Sequence, residues 1–230
     1  EQASSSMAKE ELRCLQPMTS VAEIKDALAE TTQAHTVILK KGSAPLGQIY
    51  DISAAMTFAR KGGVLTMGQL LQILYNLKIA ANVTTFLKSD LPPLPAIDAI
   101  REVIVTCPRL AENIDRCIIS EDEMADNASP ALKDIRRSIT RQNDAIRNRL
   151  NSIINSSDNR TYLQDAIVTV RDGRYVIPVK AEHRGRFQGI IHDQSATGAT
   201  LFIEPQVIVN MNNELREMEL KEKAEVERIL

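Results

Sequence analysis

Apolar residues recur at helical spacing through the first half of the chain. Ser20 and Glu23 form a capping-box pair ahead of Val21, Ile24, Ala27 and Leu28, which predicts a helix start. Gly42, Pro45 and Gly47 punctuate a loop. Asp51 is placed to cap a short helix carrying Ile52, Ala55, Met56 and Ala59, ended by Gly62-Gly63. Thr66 opens a longer helix with Leu70, Leu74, Leu77 and Ala81 on one face. Pro92, Pro93 and Pro95 break the chain, Pro108 suits a first helical turn, and Ser120 with Glu123 forms a second capping-box pattern.

From Ser129-Pro130 the texture changes. An uninterrupted helix is expected to run to about Asn155, with Leu132, Ile135, Ile139, Gln142, Ile146, Arg149 and Ile153 in a narrow heptad stripe. Gln142 and Arg149 weaken that seam. The rod would be about 39 Å long. Its natural partner is the carboxy-terminal helix bearing Met211, Leu215, Met218, Val226 and Ile229. The acids of that helix, Glu217, Glu219, Glu222, Glu225 and Glu227, read as a solvated face.

Period-two alternation appears between these two helices. Ala166 to Val170 and Arg174 to Lys180 flank Asp172-Gly173, a hairpin signal. Phe187 to His192 and Ala199 to Ile203 are further short strands around the turn-rich Asp193 to Gly198. Pro178 calls for an edge or a bulge. Alternation places Arg174, Val176 and Lys180 on one face and Tyr175, Ile177 and Val179 on the other, so the hairpin is expected to bury one face and offer cations on its opposite one. The predicted class is mainly α with a small antiparallel β module. Four segments are expected: a helical region 1–128, an ascending helix 129–158, a β-rich module 159–205 and a returning helix 206–230.

Composition narrows the chemistry. The 230 residues carry a net charge of −2, with 43% hydrophobic and 3% aromatic residues and no Trp. That excludes a disordered chain and a uniformly basic coat. No apolar run suits a membrane span or a signal peptide, and three unpaired-looking cysteines, read as small core hydrophobes, fit a reducing cytoplasm. The chain starts without Met in what reads as a helix, and its last helix has no exit signal, so a piece of a longer protein is expected. Neither Lys41-Gly42-Ser43 nor Gly62-Gly63 has phosphate-cradling spacing, so no cofactor is expected here. His35, His183 and His192 are scattered rather than spaced as metal ligands. His192, Asp193 and Ser195 sit in a turn, where backbone demands explain them better than a catalytic triad.

Charge is concentrated in one stretch. From Lys133 to His192, twelve Lys/Arg face six Asp/Glu, so this segment is +6 and the remainder −8. Arginine predominates, which suits phosphate contact without sequence readout. Arg174, Lys180, Arg184 and Arg186 are the leading candidates, with Arg171 and His183 behind them; they are chosen from charge and strand geometry. The competing expectation is a structural or dimerisation module with incidental cations.

The text then becomes specific. Thr169 to Lys180, Ile191 to Pro205 and Asn212-Asn213-Glu214-Leu215 closely resemble the bacterial MutS-two family, and Gly42 to Gly47, Asp51-Ile52 and Lys61 to Leu65 look like the amino-terminal core of that family. The resemblance implies a core, lever and clamp arrangement. It implies a parent that is a dimeric, cytoplasmic ATPase using ATP and magnesium and usually ending in a Smr endonuclease. Its attributed partners are branched or duplex DNA, or ribosomal RNA. Its attributed roles are suppression of homologous recombination and splitting of collided ribosomes. The Walker motifs and nuclease region are not in this chain, so the piece itself is expected to be non-catalytic.

Overall fold

The computed structural model describes residues 5–88 and 93–230. It is 63% helical with a small four-stranded antiparallel sheet, the mainly-α class expected. The chain divides into two compact units, one holding residues up to Ala128 and the other Ser129–Ile229.

The first unit is helical: α1 (Ser6–Arg13), α2 (Val21–Lys41), α3 (Ser53–Arg60), α4 (Met67–Leu87), α5 (Pro95–Val103) and α6 (Pro108–Cys117). Local chemistry sets most of these boundaries. Asp51 Oδ1 accepts from Ser53 N at 2.9 Å, which also lowers the Asp51 carboxyl below its usual range. Gly62, at φ +82°, turns the chain out of α3. Pro95 and Pro108 begin α5 and α6, where a missing N–H costs nothing; Pro92 lies outside the described residues. A reciprocal capping box forms at Thr66 and Gln69. The two expected boxes do not form. Ser20 precedes α2 without a side-chain cap bond. Ser120 and Glu123 sit in a tight turn closed by a bridge between Ile118 and Met124, which leaves no room for a helix start. The small core centres on Ala55, Leu65, Ile73, Leu74, Ile114 and Ile118. Cys14 and Cys107 are exposed, not core residues, because they sit at helix ends, Cys14 capping α1 and Cys107 preceding α6; Cys117 is half-buried.

The second unit opens with α7 (Pro130–Ile154) and ends with α9 (Val209–Ile229), packed antiparallel. Ser129 serves both: its hydroxyl accepts from Leu132 N at 3.0 Å and donates to Glu225 Oε1 at 2.6 Å. Arg136 bonds Glu222 at 2.7 Å, and Gln142 donates to both Met211 O and Glu214 at 3.0 Å. Gln142 is therefore a tie between the helices rather than a weak point, and Glu222 and Glu225 are partnered rather than solvated. The Arg228 guanidinium first, and Ser129 second, hold the Glu225 carboxyl down at about 2.

The expected heptad stripe drifts. Leu132, Ile146, Leu150 and Ile154 are the buried residues, and Arg149 is exposed. Toward its end the helix must face the sheet as well as α9, and steps of four follow a straight 3.6-residue helix.

After the short α8 (Ser157–Arg160) come β1 (Thr169–Arg171), β2 (Arg174–Lys180), β3 (Gly189–Gln194) and β4 (Thr200–Pro205), ordered β1-β2-β4-β3. Asp172 (φ 49°) and Gly173 (φ 74°) both take left-handed backbone, as a two-residue primed hairpin turn requires. Pro178 pairs with Phe202 on one side. On its other side, beyond the end of β1, Gln164 N donates to Pro178 O and Lys180 N to Tyr162 O, each at 3.0 Å, so no ladder bond needs the missing N–H. Tyr175, Ile177 and Val179 pack with Leu201 and Ile203 against Ile146, Leu150 and Ile154.

The opposite face of β2 is not open, contrary to expectation. Val176 is fully buried and the strand is buried from Tyr175 to Val179. The sheet's own cations close this face. The Arg171 guanidinium lies 4.0 Å over the Phe202 ring, and Arg174 turns inward to a buried glutamate.

Candidate nucleic-acid interface

The six basic candidates fall into two groups at opposite ends of β2. Arg174 and Lys180 are the first and last residues of that seven-residue strand, about 20 Å apart along it.

At the hairpin end, both arginines are committed to partners. Arg171 Nε bonds Asp193 Oδ2 at 3.0 Å, and Nη1 bonds Thr169 Oγ1 and Val170 O. Arg174 Nη1 donates to Glu204 Oε1 at 2.8 Å and Nη2 to Asn213 Oδ1 at 2.5 Å. Glu204 is completely buried. Its Oε1 also accepts from Asn212 Nδ2 at 2.7 Å, and its Oε2 meets His192 Nε2 at 2.6 Å. His192 is the extra residue of a bulge between Ile191 and Asp193, which aims its ring at Glu204. Asn212, itself buried, bonds both N and O of Tyr175. One carboxylate thus joins β2, β3, β4 and α9. Among the described residues, no buried side-chain N or O lacks a hydrogen bond.

The other end is different. Lys180, His183, Arg184 and Arg186 lie where β2 runs into the 3-10 turn Ala181–Arg186, and His183 and Arg186 meet the Tyr162 ring. Lys180 Nζ donates to Thr161 O at 3.1 Å. The His183 ring meets Tyr162 edge-on with centroids 5.0 Å apart, and the Arg186 guanidinium lies 5.5 Å from the Tyr162 centroid. His183 Nε2 is 3.3 Å from Glu182. Arg184 and Arg186 are exposed. The guanidinium groups of Arg184 and Arg186 are open to solvent, where phosphate oxygens could replace water.

Over its whole length the chain is 46% identical to the protein named Endonuclease MutS2 of Alkaliphilus oremlandii and 45% identical to that of Alkaliphilus metalliredigens, spanning 29% of each. Over 97% of its length it is 45% identical to Endonuclease MutS2 of Clostridium perfringens, spanning 28% of that protein. The chain is thus similar along its whole length to the amino-terminal part of proteins named Endonuclease MutS2. It spans less than a third of the length of these MutS2 relatives. No family model matches the chain.

The segments that carried the MutS2 resemblance hold the buried network: Arg174, His192, Glu204, Asn212 and Asn213 all fall in them. Sequence reasoning missed that network. Its one signal was an acid and two amides inside otherwise apolar strand and helix starts. The Ser195 turn is structural: Ser195 Oγ accepts from Thr200 N at 3.0 Å, while His192 points away to Glu204. Lys41-Gly42-Ser43 and Gly62-Gly63 lie at the C-terminal ends of α2 and α3, where carbonyls rather than N–H groups face out, so they do not fit a nucleotide phosphate. Among the described residues, no group of three His, Cys, Asp or Glu could hold a metal ion, and no helix is long and apolar enough to cross a membrane.

Proposed function

We propose that the chain is the nucleic-acid-gripping core, lever and clamp part of a MutS2 protein. Residues up to 128 form the core, α7 and α9 the lever, and the β module the clamp. The exposed Arg184 and Arg186 and the half-buried Lys180, at the end of β2 where Arg186 meets Tyr162, are the observation that carries this reading. Those three cations engage phosphates of DNA or ribosomal RNA without reading sequence. Arg171 and Arg174 hold the module together instead, and His183 supports the cluster. In a full-length dimeric member, ATP hydrolysis and a Smr nuclease would be coupled to suppression of recombination or to splitting of collided ribosomes. No residue described in this chain performs either reaction.

The test is fluorescence anisotropy of the chain with labelled branched DNA, duplex DNA and structured ribosomal RNA across a range of salt. Three phosphate contacts predict a log–log salt slope near about −2.7 on B-form DNA. The ligand bound most tightly chooses between the recombination and ribosome roles. Absence of salt-dependent binding to all three would defeat the reading.

A second reading, a protein-contacting module, has one observation in its favour. Ile167 and Val170 are exposed on the sheet-edge segment, beside a groove of about 520 Å³ lined also by Arg147, Asn151 and Tyr175. Equal binding by a variant with Lys180, Arg184 and Arg186 all changed to Glu would favour it.

A further inference from the structure

We propose that Tyr162 is a stacking platform for one unpaired nucleobase, so that the clamp end prefers single-stranded to fully paired nucleic acid. The inference rests on the nucleic-acid reading above and extends it, because phosphate contacts alone accept any strand.

Aromatic residues are scarce in this chain, four Tyr and four Phe in 230 residues. Within the second unit three of the four are used up internally. Tyr175 is buried with its hydroxyl on Asn143 at 2.8 Å. Phe187 packs against the core. Phe202 lies under the Arg171 guanidinium, which Asp193 holds in place. Tyr162 is the remaining one, and it sits half-exposed among cations rather than in the core.

Its backbone is fixed. Tyr162 N donates to Asn159 O and Tyr162 O accepts from Lys180 N, both at 3.0 Å. The next residue, Leu163, is 3% exposed and bridges to Val179. The ring is therefore presented from a rigid base, which lowers the ordering cost of binding. His183 supports the ring from the edge, and the exposed Arg186 reaches over it. An aromatic ring bordered by the Arg186 guanidinium, with Lys180 and the exposed Arg184 on the same strand-to-turn segment, is the combination that holds single strands. The acids nearby in sequence are Glu182, which faces His183, and Asp158 and Asp165. A duplex keeps its base faces stacked on one another, so only an unpaired base can use the ring.

The experiment compares three labelled strands of equal length: oligothymidylate, the same backbone with abasic sites, and a fully paired duplex. The chain is expected to bind oligothymidylate on the order of tenfold more tightly than the abasic strand. Tyr162→Ala and Tyr162→Leu erase that difference and leave abasic binding and its salt slope unchanged. Tyr162→Phe retains it. A 2-aminopurine placed in the strand loses fluorescence on binding the unmodified chain, a readout that needs no variant. Equal affinity for oligothymidylate and the abasic strand, with no quenching, overturns the platform while salt-dependent binding leaves the phosphate reading standing. Absence of binding to every strand defeats both.

Discussion

The two ends of β2 carry the same charge and use it in opposite ways. At Arg174 the cation faces a carboxylate with no solvent exposure, and Asn212, Asn213 and His192 complete the shell. At Lys180 to Arg186 the cations lie near a half-exposed tyrosine and have few acidic partners. A buried charge is tolerated only when its bonds are made, and once made they fix geometry. An exposed charge contributes little to folding and is available for a ligand. Sign and spacing are alike at the two ends, so only the surroundings separate an architectural arginine from a candidate binding one.

The largest effect is expected at the buried end. Glu204→Ala leaves Arg174 and Asn212 without their shared acceptor and should cost about 3–5 kcal/mol in urea unfolding. A loss below about 1 kcal/mol would mean that water enters and satisfies them. Next comes the apolar seam beneath the sheet: Leu150→Ala should cost about 2–5 kcal/mol, whereas Leu39→Ala, at a site 73% exposed, should cost no more than about 0.5 kcal/mol.

The smallest effect concerns acid. Glu225 has its folded value lowered from 4.5 to about 2, so its stabilising contribution is complete above about pH 4.5 and is lost as pH falls from there toward 2. Glu225→Gln should flatten the fall in stability over that window, read by thermal unfolding at a series of pH values. An unchanged profile would show that Arg228 and Ser129 do not hold the carboxylate in solution.

Local signals made part of this legible in the sequence. The Asp172-Gly173 turn, Pro108 at a helix start, Gly62 after α3 and the Ser129-Pro130 opening of α7 depend on residues within a turn of each other, whereas Pro95, read as a chain break, begins α5. The class and the strand neighbourhoods followed from them. Capping patterns were less reliable: Ser120 and Glu123 have the right spacing, but the bridge between Ile118 and Met124 prevails over it. The fate of the cations was hidden for a different reason. Alternation sorts side chains by face but does not say whether a face meets water, and here Phe202, Glu204 and Asn212 arrive from distant positions to cover one. The six candidates could therefore be found by charge, while their division into two groups required the sheet order and the bulge at His192.

The most direct test is the affinity of the chain for labelled single-stranded and duplex DNA at low salt, before and after Lys180, Arg184 and Arg186 are all changed to Glu, with urea unfolding measured on the same samples. The account predicts that affinity falls at least on the order of a hundredfold and the salt slope flattens, while stability moves by no more than about 1 kcal/mol. Unchanged affinity in a folded variant would contradict it.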